Sequence, residues 1–533
     1  MLLLFSFFWY LRTARALLFA LYLWQLKEYH MKRFVAHFRT QKGRRLFFHP
    51  FVVLKLGLLA LWLFQREAAV TLLILLYIGE TVLLFNAKRK RTLLLPVLTR
   101  KTAVLILSVL LLQSSFLAAA LLFAPGFVFL FLLFFDLFSL LIGSLVVLLW
   151  QPYTIFERRR ILKRAKEKRE KLKELKVVGI TGSYGKTSTK ELLSHILQKK
   201  FFTVKTPEHK NSEMGVAHTI LYDLTDEHQV FICEMGAYSK GGVKLLSDMA
   251  KPTLGIVTGV NEQHLGVFGS KMNLFSAEGG GELVQSLPSG GALILNDDSK
   301  QLHELGPWLQ LWNSAFANYI WCSTKGRRDV FAKDVAVMKD RVNFTLVAKD
   351  GQEASVNLPL VGGHNVENAL LAGAAAKELG MTIVEIAEAL KDAPLEASAM
   401  QLKKGKNDFD ILDSSYSANP DGVFAALEHL KLWQGKKILV MPSLIELGSA
   451  SSSLHLEIGR KAGEICDTIF ITTADEFPSL LKGAKEKGTK EENIVLSEDP
   501  EEIAKRILAT ARKGDVVLLE GRVPPAILSL LEL

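Results

Sequence analysis

The sequence predicts an α-helical membrane domain followed by an α/β portion built around a phosphate-binding loop. Three observations carry that expectation: long apolar runs confined to the first third of the chain, an abrupt change of charge after them, and a strand–glycine turn–helix pattern over 177–197. At roughly 100–200 residues per domain, the length accommodates about three folding units. Hydrophobic side chains make up 49% of the 533 residues, yet 22% are charged, which describes a mixture of two environments. Formal charge is +13 over 1–156, +7 over 157–176 and −9 over 177–533, against +11 for the whole chain. A nucleic-acid-binding protein concentrates basic charge on its folded surface; here the folded portion is acidic, which excludes nucleic acid as a partner. The three cysteines (Cys233, Cys322, Cys466) are far apart, which excludes a disulfide scaffold and a cysteine-rich zinc module.

Four apolar runs, 46–64, 68–86, 102–123 and 126–150, approach or exceed the ~20 residues that cross a bilayer as helix. A fifth, 1–26, is interrupted by Arg12 and Arg15. No small-residue cleavage site follows it, so it reads as a segment that stays rather than a signal peptide. Alternate loops are basic: Lys27, Lys32, Arg33, Arg39, Lys42, Arg44 and Arg45 after the first segment, Lys88–Arg91 with Arg100 and Lys101 after the third, and Arg158–Arg160 after the last. Those loops, and everything C-terminal, are expected on the cytoplasmic side of a bacterial inner membrane. Ionisable groups within spans are costly unless paired. Asp136 and Arg12 fall at one depth counted from the cytoplasmic ends, as do Lys55 and Glu80, so Asp136 is expected to pair with Arg12 or Arg15. Residues 157–176 read as a basic linker helix, either solvated or drawn to anionic lipid.

After the linker, Val177-Val178-Gly179-Ile180 reads as a buried strand and Leu192, Leu193, Ile196 and Leu197 as one face of a helix. Between them stands Thr181-Gly182-Ser183-Tyr184-Gly185-Lys186-Thr187. Such a turn wraps backbone N–H groups around a phosphate, the helix start adds its positive end, Lys186 reaches terminal phosphates and the Thr187 hydroxyl suits Mg²⁺. Two further strands end in polar groups, Val230–Cys233 in Glu234 and Leu254–Val260 in Asn261-Glu262-Gln263-His264. A carboxylate and an imidazole at adjacent strand ends can share a metal with nucleotide phosphates, although each alone also serves as a cap or loop hydrogen-bonder. Asn296-Asp297-Asp298 and Gly362-Gly363-His364-Asn365 are clusters of the same kind.

These motifs, with Phe268-Gly269-Ser270, Ser415-Tyr416-Ser417-Ala418-Asn419-Pro420, Ile445-Glu446-Leu447-Gly448 and His455, occur in the order found in Mur ligases. From about residue 175 onward the chain most resembles the MurF type. The resemblance implies a central ATP-binding domain over 177–394 and a Rossmann-like C-terminal domain over 395–533, with ATP and Mg²⁺ as cofactors. It implies amide formation through an acyl phosphate, with a cell-wall precursor or other carboxylate as acceptor and an amino acid or dipeptide as amine. By similarity Lys186, Glu234, His264 and Glu278 are catalytic, and Thr187, Glu234 and His264 serve the metal. Thr181 to Thr187, Asn296, His364 and Asn365 surround the nucleotide, and Asn211, Ser212, Tyr416 and Asn419 face the substrates.

The sequence also departs from that family. Glu278 stands near the position of a lysine that is carbamylated in the active enzymes. The Gly-Arg-Met turn reads Ser398-Ala399-Met400, the second Asp before the Asn-Pro motif is Ser414, and Lys-Gly-Ser-Arg reads Glu520-Gly521-Arg522-Val523. Membrane segments replace the small N-terminal domain that holds the UDP moiety in MurF-type enzymes. A tethered ligase suits an acceptor at the membrane, such as a lipid-linked precursor or a polymer like poly-γ-glutamate. Two other classes stay open: a P-loop ATPase of envelope export, and a non-catalytic envelope scaffold.

Overall fold

The computed structural model describes all residues except 1, 28, 30, 39–42, 44, 45, 47, 48, 90–92, 209, 305–308, 310–317, 396–398, 417 and 418. Ser398, Ser417, Ala418 and the basic loop residues Arg39, Lys42, Arg44, Arg45, Lys90 and Arg91 therefore lie outside the described residues. The chain forms two compact units, Met1–Arg159 and Arg160–Leu533.

The first unit is helical: α1 (Leu2–Leu26), α2 (Met31–His37), α3 (Pro50–Phe64), α4 (Arg66–Arg89), α5 (Arg100–Phe123), α6 (Val128–Leu137) and α7 (Ser139–Lys171), the last running on into the second unit. Of these, α1, α4, α5 and α7 are long and apolar enough to cross a membrane. Within the run at 46–64, α3 starts at Pro50, where proline suits the first helical position and His49 caps the Phe51 N–H. Its 15 residues reach about 22 Å at 1.5 Å each, short of a ~30 Å hydrocarbon core. The run at 126–150 is divided: a 3-10 turn, Pro125–Phe127, leads into α6, and α6 gives way to α7 at Phe138. Conversely, the arginine-interrupted first segment is an unbroken 25-residue helix.

Arg12 is tolerated there because the bundle neutralises it. Lys55 Nζ lies 2.6 Å from Glu80 Oε2 and 2.7 Å from Asp136 Oδ2, while Arg12 Nε lies 2.7 Å from Glu80 Oε1 and its Nη1 3.8 Å from Asp136 Oδ1. The Tyr77 hydroxyl donates to Asp136 Oδ2 at 3.1 Å. Two cations and two carboxylates thus form a neutral square drawn from α1, α3, α4 and α6. The expected Arg12–Asp136 pair exists as its longest side, and Lys55 is the nearer partner. Lys55, Glu80 and Asp136 are 2–4% exposed. Because removing one member of a buried pair strands the other, Lys55→Met is expected to destabilise the bundle by about 3–5 kcal/mol. Unfolding of the detergent-solubilised chain measures this; an unchanged midpoint would show that the square contributes nothing.

The basic segment after the last span is not a free helix. Ala165 is fully buried, Lys168 Nζ donates to the Leu221 and Leu224 carbonyls at 2.9 and 2.6 Å, and Arg169 donates to the Ala250 carbonyl at 2.9 Å. The end of α7 is therefore a packed element of the second unit, its lysine and arginine heads satisfying carbonyls that no ladder uses.

The second unit contains two sheets. The larger holds β1 (Lys176–Thr181), β2 (Thr203–Lys205), β3 (Val230–Glu234), β4 (Leu254–Val257), β5 (Ala292–Asn296), β6 (Tyr319–Ser323), β7 (Val330–Val337), β8 (Val342–Ala348) and β9 (Glu353–Leu358), ordered β2-β3-β1-β4-β5-β6-β7-β8-β9. The strands are parallel through β7, and β7–β9 form an antiparallel meander. Continuous apolar runs such as Val177–Ile180 suit strands covered on both faces. Ile180, Ile232, Ile256 and Ile294 pack beneath α8 (Lys186–Leu197) and the helix His364–Glu378, and Val177, Phe231, Val257 and Leu293 fill the other face. Burying each such side chain contributes about 1.5–3 kcal/mol. The chain order reverses direction at β1, between β3 and β4, which opens a crevice at their carboxyl ends. The smaller sheet holds β10 (Gln401–Lys404), β11 (Asp410–Ser414), β12 (Lys437–Met441), β13 (Thr468–Ile471), β14 (Ile494–Leu496) and β15 (Val516–Glu520), ordered β10-β11-β15-β12-β13-β14 and parallel apart from β10.

Candidate active site

The crevice begins where β1 ends at Thr181, a fully buried residue, and the chain turns into α8. Gly182 adopts φ +141°, and a Cβ there would stand 2.2 Å from Thr258 Oγ1. Gly185 caps α8 at φ +72°, with Asn368 Oδ1 2.7 Å from where its Cβ would be. Both positions demand glycine, and the turn they make leaves the first N–H groups of α8 without helical partners, the usual anion seat. The Tyr184 ring packs against Gly259, and its carbonyl accepts from the Thr258 hydroxyl. Burial, with Asp421 and Glu367 nearby, holds the Tyr184 phenol above its ordinary range.

Two carboxylate clusters flank the loop. Glu234, ending β3 beside Ile180 of β1, accepts from the Thr187 hydroxyl at 3.2 Å and from Asn211 Nδ2 at 2.8 Å. Lys190, fully buried one turn along α8 from Lys186, sits 3.2 Å from Glu234 Oε2. Glu278, following the helix Lys271–Ala277, accepts from Ser183 Oγ at 2.6 Å and lies 2.8 Å from His264 Nδ1. Burial pushes both carboxyls up, but their polar neighbours win: Lys190 and Lys186 hold Glu234 below its ordinary range, and the hydrogen-bonded His264 and Ser183, with Lys186 nearby, do so for Glu278. The lysine itself folds back on its loop, donating to the Gly182 carbonyl at 2.5 Å.

The structure thus brings Thr187, Glu234 and Asn211 together, and Ser183, His264 and Glu278 together. Among the described residues, no hydrogen bond joins His264 to Glu234. Ser212 caps the helix Glu213–His218 through the Gly215 N–H. Asn419 caps the helix Pro420–Leu430 and accepts from Asn261 Nδ2 at 3.1 Å; Tyr416 is 44% exposed. Asn296 Nδ2 donates to the Thr258 carbonyl at 2.9 Å and to Glu367 Oε2 at 2.8 Å, and Asn365 Nδ2 to the Val361 carbonyl at 2.9 Å. His364 is packed against Gly362, and burial lowers its imidazole to about 4, so it is neutral at pH 7. At the end of β15, Glu520 is buried beside Ser414, its carboxyl pushed up to about 8 by burial.

Sequence reasoning missed Lys190, Glu367 and the Asn261–Asp421 contact. Only Lys190 carried a signal, its i+4 spacing from Lys186 on one helix face. Glu367 is mostly buried, and burial raises its carboxyl to about 7. The folded chain therefore holds a proton on Glu367 that the unfolded chain loses above about 4.5, so this group's contribution to stability declines from pH 4.5 to 7 and stays low above. Glu367→Gln is expected to match the parent at pH 5 and to exceed it by about 3 kcal/mol at pH 8. Urea unfolding at the two pH values decides; an equal offset at both would remove the titration.

Magnesium takes hard oxygen donors, commonly one or two carboxylates plus substrate phosphates. The Thr187 hydroxyl and the ionised Glu234 carboxylate fit that chemistry. No group of three or more His, Cys, Asp or Glu side chains is placed for a metal among the described residues, so phosphate oxygens and water would complete the shell.

Comparison with known proteins settles the family. The Mur ligase middle domain matches residues 180–376, and the Mur ligase glutamate ligase domain matches 400–523. The chain belongs to the Mur ligase family. It is an ATP-dependent, amide-bond-forming ligase in that family's sense. The UDP-N-acetylmuramoyl-tripeptide–D-alanyl-D-alanine ligase of Mycobacterium bovis is 31% identical over 369 residues, covering 65% of this chain and 70% of the relative. Its counterpart in Bacillus subtilis is 27% identical over 354 residues, covering 65% and 73%. Among solved structures, MurF from Acinetobacter baumannii superposes with a TM-score of 0.62 at 26% identity, covering 70% of this chain and 79% of that one. MurF ligase from Thermotoga maritima in complex with ADP gives 0.60 at 26%, covering 70% and 83%. This Mur ligase thus resembles MurF over its second unit, and its helical first unit lies outside both family matches.

Proposed function

We propose that the chain is a membrane-anchored, Mg²⁺- and ATP-dependent ligase of bacterial cell-envelope synthesis that joins an amino acid or dipeptide to a carboxylate acceptor. The carrying observation is the phosphate loop with a carboxylate on either side of it, Glu234 3.2 Å from the Thr187 hydroxyl and Glu278 2.6 Å from the Ser183 hydroxyl. Four long apolar helices support anchoring, and the basic loops support a cytoplasmic ligase portion, residues 177–394 taking ATP and 395–533 closing the site. The membrane position favours a lipid-linked or polymeric acceptor over a soluble UDP-linked one.

The acceptor carboxylate attacks the γ-phosphorus of ATP, ADP leaves, and the amine displaces phosphate from the acyl phosphate. Lys186 and the α8 N–H groups meet the charge that develops on the transferring phosphoryl oxygens. Bound Mg²⁺ would supply further neutralisation, with Thr187 and Glu234 as its protein donors and Asn211 and Lys190 orienting that carboxylate. Glu278 stands in for the carbamylated lysine of related enzymes: both offer two anionic oxygens, and here Ser183 and His264 fix them. Incubating the membrane-extracted protein with Mg·ATP, lipid-linked and UDP-linked acceptors and a panel of amines, then searching for a new amide by mass spectrometry, tests this reading. ADP release that ignores acceptor and amine would favour the export ATPase.

A further inference from the structure

Loops from both sheets of the second unit meet beside His264. The segment Asn261–Gly266, which follows β4, carries His264 in a 3-10 turn, Glu262–His264, and leads into the short helix Leu265–Phe268. Asn261 starts that turn by accepting from the Gln263 N–H at 3.0 Å. Its side-chain amide also donates to the Asp421 carboxylate at 2.7 Å, beyond β11 of the smaller sheet. At its other end the segment meets the loop after β12, where the Gly266 N–H donates to the Glu446 carbonyl at 2.9 Å. Backbone lies against backbone there. A Cβ on Gly266 would stand 2.9 Å from that carbonyl oxygen and 3.1 Å from the Gly448 nitrogen, and one on Gly448 would stand 3.0 Å from the Gly266 Cα.

The loop after β12 is braced on its own side. Glu446 holds φ +69°, a left-handed conformation that a non-glycine residue keeps only where its surroundings impose it. His455 is fully buried, its Nε2 accepting from the Leu444 N–H at 2.8 Å and its Nδ1 donating to the Ser451 carbonyl at 2.7 Å. Both ring nitrogens are thus spent on the main chain that flanks Glu446. Between the two points of contact stands His264, with Nδ1 2.8 Å from Glu278 Oε1.

We infer that the smaller-sheet lobe positions His264. Asp421 at one end of the segment and the Glu446–Gly448 turn at the other set the imidazole against Glu278. Asp421, Gly266 and Gly448 are therefore positioning residues, acting on the reaction through a side chain that none of them needs to touch. The inference rests on the reading that the His264–Glu278 pair serves the ligase reaction.

Hydrogen exchange of the full membrane-extracted chain, read by mass spectrometry, tests it together with steady-state turnover. In Gly266→Ala and Asp421→Ala, the amides of 262–268 are expected to exchange about tenfold faster than in the parent, as loss of one such contact implies. Asp421→Asn keeps an acceptor for Asn261 and is expected to restore the parental protection. At saturating ATP, acceptor and amine, kcat is expected to fall about tenfold in both alanine variants, with a smaller change in the KM for ATP. Unchanged protection of 262–268 in Asp421→Ala, faster exchange with parental kcat, or no rescue by Asp421→Asn would each overturn the inference. Protection lost across the whole second unit in Asp421→Ala would also overturn it, by showing that the contact holds the fold rather than His264. A parent that forms no amide would refute the ligase reading alone, because the exchange comparison does not depend on turnover.

Discussion

Lys186→Ala is expected to lower turnover by about two to three orders of magnitude while leaving the fold intact. The ammonium donates to the Gly182 and Ser183 carbonyls of its own loop. An arriving polyphosphate exchanges those neutral partners for anionic ones, so the interaction grows as charge builds on the transferring group. Removing one such preorganised donor costs about 2.7–4 kcal/mol of transition-state stabilisation. Because Lys186 also lowers both flanking carboxyls, some loss in metal affinity accompanies the loss in rate. ADP release measured at saturating acceptor and amine checks the prediction. Parental turnover in the variant would move the nucleotide elsewhere.

The second large effect concerns Glu278. Glu278→Gln keeps the volume and one hydrogen-bond acceptor but removes the charge that His264 and Ser183 are arranged to hold. Turnover is expected to fall by at least about two orders of magnitude, the scale of a lost electrostatic group in a water-poor site. If Glu278 replaces a carbamylated lysine, the parent enzyme turns over equally with or without added bicarbonate. Glu278→Lys, by contrast, recovers activity only when bicarbonate is supplied. A parent that loses activity when bicarbonate is stripped would place a carbamylated lysine elsewhere in the site, and full activity in Glu278→Gln would remove this carboxylate from the chemistry.

The legible parts of this fold were those written in consecutive residues. The loop from Thr181 to Thr187 announces itself because glycines, lysine and threonine must be adjacent to wrap a phosphate, and Glu234 follows directly from the strand that carries it. Glu278 was legible only by its place in a family segment; nothing local shows that Ser183, 95 residues earlier, donates to it. Asn261 and Asp421, 160 residues apart, and Asn296 and Glu367, 71 apart, meet through tertiary packing that spacing cannot report. In the helical unit, counting residues from the membrane edge put Arg12 level with Asp136. Which helix stands beside which is a lateral question, and Lys55 between both carboxylates was invisible to it. The division at Phe138 has no proline or glycine to mark it.

Asn261 ties the phosphate loop to the far lobe. Its side-chain amide donates to Asn419 at 3.1 Å and to Asp421 at 2.7 Å on the far lobe, while its backbone carbonyl accepts from the Ser183 hydroxyl of the loop at 3.4 Å. Two equilibria, loop occupancy and lobe apposition, therefore share one residue. Linkage makes such sharing mutual: whatever factor a bound nucleotide adds to the tendency of the lobes to meet, their meeting returns to nucleotide affinity. A small molecule wedged between Asn261 and Asp421 would accordingly weaken ATP without touching a single phosphate contact.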